Sequence, residues 1–369
     1  DLHSTSRRQR QMCIRDSVNT AAGRRRYLQY LIPFVVSNEL VDRYDLWVNT
    51  TDKLDICFLE EMSKKYPKIN LIWQPDGVIN GVLSIDAFYR YCCDDDTIYI
   101  KLDDDIIWLE PNFFEELVSF RIANPSYFMV SPLVINNDIS TYILQSKGLI
   151  QFKEYFEAKS YNLIWYNGYF AEELHKWFID NYLKTNRYAE LHCGHHEVAL
   201  NRYAINAVAW FGKDFSAFGG EVVGDDEEFL TVIHPSKINR IHCFDCNTIA
   251  VHFSFSMQRR ILDSTNILSV YKDIIEKGLA QNKQLRLIYN EARAVSSYVD
   301  ESKNEILKKT LPHSYVQVVK PVRYRVVKEI LSSVLHINRT YFELLYRIYI
   351  QIRKAKRTYI VNGNDPKSN

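Results

Sequence analysis

The feature of this sequence that most constrains its fold is a regular alternation, from Val18 onward, of short apolar runs with stretches of helical spacing. Ser17–Thr20 reads as the end of a first strand, and a helix follows over about Arg24–Val36, with a kink expected at Pro33. Tyr44–Asn49 (YDLWVN) is a second strand. Asp52 then caps a helix that carries Ile56, Leu59 and Met62 on one face and stops before Pro67. Ile69–Trp73 is a third strand, Val82–Cys93 a third helix and Thr97–Leu102 (TIYIKL) a fourth strand. Strands separated by helices are joined by crossovers rather than hairpins, so the expectation is an α/β fold, a mostly parallel sheet with covering helices. Asn206–Phe211 and Asn247–Phe253 read as later strands, and residues 151–200 as an irregular, aromatic-rich insertion that shapes a cleft. After about Asp263 the strand signals fade, and residues 263–369 are expected to form a helical extension.

Composition supports a packed core: 47% of the 369 residues are hydrophobic and 25% charged. The net charge of +1 hides an asymmetry. Residues 306–358 hold 12 Lys and Arg against Glu329 and Glu343, and residues 1–17 hold four Arg against two Asp, which leaves −11 for the remainder. An acidic body argues against nucleic acid as a partner, and the basic segment points to an anionic surface. Two helical stretches in that segment, Val326–Ile337 and about Tyr341–Arg357, read either as a cap on the domain or as a peripheral membrane anchor. The seven cysteines follow no regular framework, which suits a reduced, cytoplasmic compartment. No apolar run approaches the ~20 residues of a spanning helix. Residues 1–17 (DLHSTSRRQRQMCIRDS) lack the apolar stretch of a signal peptide and resemble a translated sequencing adapter. They are expected to be a non-native leader.

Ligands of parallel sheets sit at the carboxyl ends of strands, so acids there carry the most weight. The chain has two Asp triplets. Asp94, Asp95 and Asp96 precede a strand and read as a solvated loop. Asp103, Asp104 and Asp105 instead end TIYIKL and run directly into apolar Ile106-Ile107-Trp108-Leu109. Three carboxylates between apolar segments repel one another unless a cation neutralises them. Oxygen ligands suit Mn²⁺ or Mg²⁺, ions that bridge nucleotide phosphates.

The run YIKLDDDIIWLEPNFF resembles the DXD region of bacterial-type GT-A glycosyltransferases, Rossmann-like enzymes that hold a nucleotide-sugar diphosphate through a divalent metal. GGEVVGDDEEFL, at residues 219–230, resembles the acidic acceptor-side segment of that fold. IAVHF, at 249–253, resembles the strand end where many such enzymes place a histidine on the same metal. The resemblance covers roughly residues 18–260, places the domain at 18–262 and implies a metal on Asp103, Asp105 and His252. It implies donor contacts at Thr20, Arg24, Asn49, Thr50, Asp76, Asp86 and Asp104, and catalysis by Asp226 with Asp225 and Glu227. The implied reaction moves a sugar from a nucleotide-sugar donor to a saccharide or lipid-linked acceptor, in surface polysaccharide synthesis. The residues leave other readings open. Asp225 with Glu228 is also a capping box, and His252 between Val251 and Phe253 is also a core histidine. Clustered carboxylates serve metal-dependent nucleotidyl- and phosphotransferases too, and a degenerate site would leave a carbohydrate-binding assembly subunit. Cys243-Phe-Asp-Cys246 lies near His242, and Cys193 near His195 and His196, but there is no second Cys-x-x-Cys and no standard zinc-finger spacing.

Overall fold

The computed structural model describes residues 15–79, 83–159, 163–311 and 316–317. It contains a nine-stranded mixed sheet with helices on both faces, a Rossmann-like α/β architecture. The strands are β1 (Arg15–Ala22), β2 (Arg43–Val48), β3 (Ile69–Ile72), β4 (Thr97–Leu102), β5 (Ile106–Leu109), β6 (Val130–Ile135), β7 (His195–Val198), β8 (Ala207–Phe211) and β9 (His242–His252). Their order is β3-β2-β1-β4-β8-β6-β9-β5, with β7 also paired to the first half of β9. β1, β2, β3 and β4 are mutually parallel, and β6 and β9 run in the same sense. β8, β5 and β7 run against them.

Side-chain alternation sorts the strands between two cores. On β4, Ile98, Ile100 and Leu102 face one layer, while Tyr99 faces the other. β8 follows the same rule, with Ala207, Ala209 and Phe211 on the first face and Val208 and Trp210 on the second. The first layer is roofed by helices α1 (Arg25–Ser37) and α2 (Lys53–Lys65). Asp52 caps α2 as expected, accepting from the amides of Leu54 and Asp55, and Ile56, Leu59 and Met62 are buried beneath it. Helix α3 (Leu83–Tyr89) contributes Phe88 and Tyr89 to the second layer.

Several boundaries differ from the sequence reading. β1 starts at Arg15, inside the segment expected to be a non-native leader, and Asp16 and Ser17 are buried between β2 and β4. The region 151–200 is not a simple irregular insertion. It holds α6 (Gly168–Phe178), which follows α4 (Phe113–Ala123) and α5 (Asp138–Ser146) in the chain and buries Ala171, Leu174 and Phe178. Helix α7 (Ile267–Gly278) and helix α8 (Lys283–Glu301), expected in a separate extension, pack into the two core layers. Tyr271 and Ile275 enter the second layer, and Ile288, Ala292, Val295 and Val299 the first. Both belong to a compact unit that ends at Val318. The two helical stretches read after Val326 lie outside the described residues. Among the described residues no helix is long and apolar enough to cross a membrane.

Candidate active site

The carboxyl ends of β1, β2, β4 and β9 lie along one edge of the sheet, and the acidic triplet follows β4 there. The chain then reverses at once into β5, which pairs antiparallel with the end of β9. That pairing sets Ile106 opposite His252, and the Phe253 amide donates to the Asp105 carbonyl at 2.9 Å. Residues almost 150 positions apart in sequence thereby become neighbours through ladder register.

Asp103, Asp105 and His252 each offer a ligand atom, and these atoms all lie within 4.8 Å of one another. Asp105 and His252 are buried, while Asp103 keeps a quarter of its side-chain surface in solvent. The histidine Nδ1 faces the Asn136 carbonyl at 3.2 Å, so Nδ1 must carry the proton there. The opposite nitrogen, Nε2, points to Asp105 Oδ1 at 3.4 Å. In a neutral imidazole this would set a lone pair against a carboxylate oxygen, and Asp105 Oδ1 is buried without a hydrogen-bond partner among the described residues. A carbonyl-anchored imidazole and an orphaned carboxylate oxygen converging on one point fit a divalent cation.

Arg24, in the β1–α1 loop, bridges the last two acids of the triplet. It pairs with Asp104 and, at 2.7 Å, with Asp105, and the Gly23 amide donates to Asp104 at 3.0 Å. Arg259 approaches Asp105 at 3.6 Å. Burial would push the Asp105 carboxyl up, but Arg24, His252 in its protonated form and Arg259 together hold it well below the usual carboxylate range. Burial also opposes the Arg24 charge, and Asp104 and Asp105 more than restore it.

The second acidic segment sits beside the first. Lys101, buried on β4, pairs with Asp103 and donates to the Ile205 carbonyl at 2.7 Å, and it also lies in the field of Asp226. Asn206 donates to Asp103 at 3.0 Å. Asp225 caps the helical segment 226–238 through the Glu228 amide at 3.0 Å and pairs with Arg202 at 2.8 Å. Asp226 is buried one residue further on. Its Oδ2 accepts from the Tyr89 hydroxyl at 3.0 Å. Burial raises its pKa despite Lys101. Burial and the Asp226 charge hold Glu227 well above the usual range, although Arg202 stands 3.5 Å away. Gly220, with φ of 63°, lets this segment close on α3: a Cβ there would stand 2.2 Å from the Tyr89 carbonyl oxygen.

The remaining expected donor contacts are scattered. Thr20 is fully buried, its hydroxyl 3.0 Å from that of Tyr44, because its strand is covered on both faces; it offers nothing to a ligand. Asn49 and Thr50 follow β2 and serve local structure, accepting from Ser84 at 2.6 Å and from the Asp52 amide at 3.1 Å. Asp76 is exposed and held by Arg90 at 2.7 Å. Asp86 faces the acceptor-side acids instead. Burial, then Asp226 and Asp225, push it up to about 8, and its Oδ1 has no hydrogen-bond partner among the described residues. Asp94, Asp95 and Asp96 are exposed, as expected of a loop. Lys101, Tyr89, Asn206, Arg202 and Arg259 were missed by sequence reasoning. Only Arg259-Arg260, a basic pair just past His252, carried a readable signal.

No protein-family model and no curated protein matches this chain. Among solved structures, the 4-diphosphocytidyl-2C-methyl-D-erythritol synthase of Anaerococcus prevotii DSM 20548 is similar at 13% identity and a TM-score of 0.36. That match covers 72% of this chain and 97% of the other. A mycobacterial protein is similar at 15% identity and a TM-score of 0.26, over 33% of this chain and 40% of its own length.

Proposed function

We propose that this chain is a metal-dependent glycosyltransferase of the GT-A type, which moves a sugar from a nucleotide-sugar donor to a hydroxyl of a saccharide or lipid-linked acceptor. Surface polysaccharide synthesis, at the cytoplasmic face of a membrane, is the setting this reading implies. The observation that carries it is the adjacency of two different acidic sets, one bearing an imidazole and an orphaned carboxylate oxygen, the other rich in carboxyls with raised pKa values.

Asp103, Asp105 and His252 would hold Mn²⁺ or Mg²⁺, which when bound takes up charge on the leaving diphosphate. Arg24 and Arg259 would add fixed positive charge for the donor phosphates. Asp226 would accept the proton of the acceptor hydroxyl if the enzyme inverts, with Tyr89 fixing its Oδ2 and leaving the carboxylate oriented. Asp225 would anchor the segment, with Arg202 binding both it and Glu227. The acceptor side favours this reaction over nucleotidyl transfer onto a phosphate. Asp225 and Asp226 would repel an anionic acceptor, whereas a sugar hydroxyl can donate to them and accept from Asp86 and Glu227, which are held protonated.

The test is a thermal-shift screen of UDP-, GDP-, CMP- and dTDP-sugars with and without Mn²⁺, followed by transfer assays on Asp226→Asn. A nucleotide sugar should stabilise the protein in a metal-dependent way. Asp226→Asn should keep that stabilisation and lose transfer by a factor of about 10² or more, the scale of a lost general base. Stabilisation by a nucleoside triphosphate alone would point to nucleotidyl transfer, and unchanged turnover in the variant would reduce Asp226 to a helix-start residue.

A further inference from the structure

A second donor set includes Cys246, which lies on the same strand as His252, at most about 20 Å of strand away. Cys246 stands mid-way along β9, where the pairing with β6 is irregular between Asp245 and Ile249. Cys193 and His196 belong to the turn and strand of β7, which runs antiparallel alongside. The thiol sulfurs of Cys193 and Cys246 and a ring nitrogen of His196 all lie within 4.8 Å of one another. A tetrahedral zinc bound by sulfur at about 2.3 Å and nitrogen at about 2.0 Å would set such atoms about 3.5–3.8 Å apart, so the cluster needs little adjustment.

The backbone holds the set in place. The Cys246 amide donates to the Gly194 carbonyl at 2.8 Å, and the Gly194 amide donates to the Asn247 side chain at 3.0 Å. Gly194 has a φ of 82°, a left-handed conformation that turns Cys193 back over β9. His196 Nε2 reaches the Cys193 carbonyl at 3.3 Å, which ties the ring to the same turn. Cys243, the other half of Cys-x-x-Cys, is outside the cluster, its sulfur 3.7 Å from the Phe244 carbonyl. The motif is therefore not a finger. The partners of Cys246 come from the neighbouring strand, across a sequence gap of about fifty residues.

We propose that Cys193, His196 and Cys246 form a zinc site, distinct from the oxygen-rich site at Asp103, Asp105 and His252. Two thiolates and an imidazole are soft and borderline ligands that select Zn²⁺, whereas the carboxylate set suits Mn²⁺ or Mg²⁺. No further His, Cys, Asp or Glu among the described residues joins the three, so the fourth position is left to water or a ligand. His196 also lines a cleft of about 720 Å³ with Tyr142, Lys147, Tyr155 and Asn201, so the site borders a space that a ligand can enter.

The experiment measures metal retention by the reduced full-length chain after zinc loading and desalting, for wild type, Cys193→Ser/Cys246→Ser and Asp105→Asn. Wild type and Asp105→Asn should keep one zinc per chain, and the double cysteine variant should fall to background. Cobalt substitution supplies an independent readout, a thiolate-to-cobalt charge-transfer band present in wild type and Asp105→Asn. If the double variant does not fold, protection of Cys193 from alkylation by zinc in the wild type decides the matter by peptide mapping. Wild type that retains no zinc overturns the proposal. So does zinc lost in Asp105→Asn but kept in the cysteine variant, or a Cys193–Cys246 disulfide in freshly isolated protein whose reduced form zinc fails to protect.

Discussion

Asp86→Asn tests the acidic acceptor side through stability rather than activity. Asp86 is raised from the ordinary aspartate value of 3.8 to about 8 by burial and by Asp226 and Asp225. A folded-state pKa above the unfolded one means that the native chain holds a proton the unfolded chain has released. Its stabilising contribution is fully present below about pH 4 and is lost as pH rises through about 8. The slope cannot exceed one proton, or about 1.4 kcal/mol per pH unit. Asparagine does not titrate, so the variant should gain on the wild type as pH rises. Because Asp86 keeps some contact with solvent, the expected relative gain between pH 5 and pH 8 is about 1–3 kcal/mol, below the one-proton ceiling. Asp226 and Glu227 are also raised, but they remain in both proteins and largely cancel. Urea unfolding of both proteins at pH 5, 6, 7 and 8, with chelator present, gives the difference directly. Parallel stability curves, or a variant that loses ground as pH rises, would refute the reading that these carboxyls crowd one another in a dry site.

Asp105→Ala should abolish metal-dependent nucleotide binding, whereas Asp95→Ala, on an exposed loop, should leave it nearly unchanged; titration of both variants with nucleotide and Mn²⁺ compares them. Gly220→Ala should cost about 2–4 kcal/mol, because a left-handed backbone and a Cβ driven into the Tyr89 carbonyl both oppose it. Gly224→Ala, also at positive φ but with open space around it, should cost only about 1 kcal/mol, and chemical denaturation separates the two. The basic segment 306–358 should draw the full-length chain to anionic vesicles over neutral ones, with co-sedimentation falling as salt shortens screening to less than about 8 Å.

Local physics explains which parts of this protein were readable. Asp52 caps its helix, Pro67 follows its end and TIYIKL forms a strand over the expected residues, because each depends on neighbours in sequence. The triplet at Asp103–Asp105 was legible for the same reason: acids at the end of an apolar strand fall at the sheet edge where ligands bind. β5, by contrast, reads as part of one apolar run with the triplet inside it, and its antiparallel turn is set by pairing with β9, far along the chain. The donor contacts suffered from the same blindness. Thr20 lies near a strand end in sequence, but coverage of both sheet faces buries it, and Asp86 turns toward Asp226 only because α3 packs beneath the acidic segment.

The sequence by itself determined the alternation of strands and helices, the acidic strand end and the order of triplet, acidic helix start and histidine. These follow from side-chain spacing, capping and hydrophobic period, all of which act over a few residues. Tertiary structure alone decided that His252 meets Asp105, that Lys101 and Tyr89 hold the two acidic sets side by side, and that Cys246 finds Cys193 and His196 rather than Cys243. Each of those contacts depends on strand order and register. A sheet sets them by which ladders pair, and a shift of one residue would turn the strand residues among them, Lys101, His196, Cys246 and His252, to the opposite face.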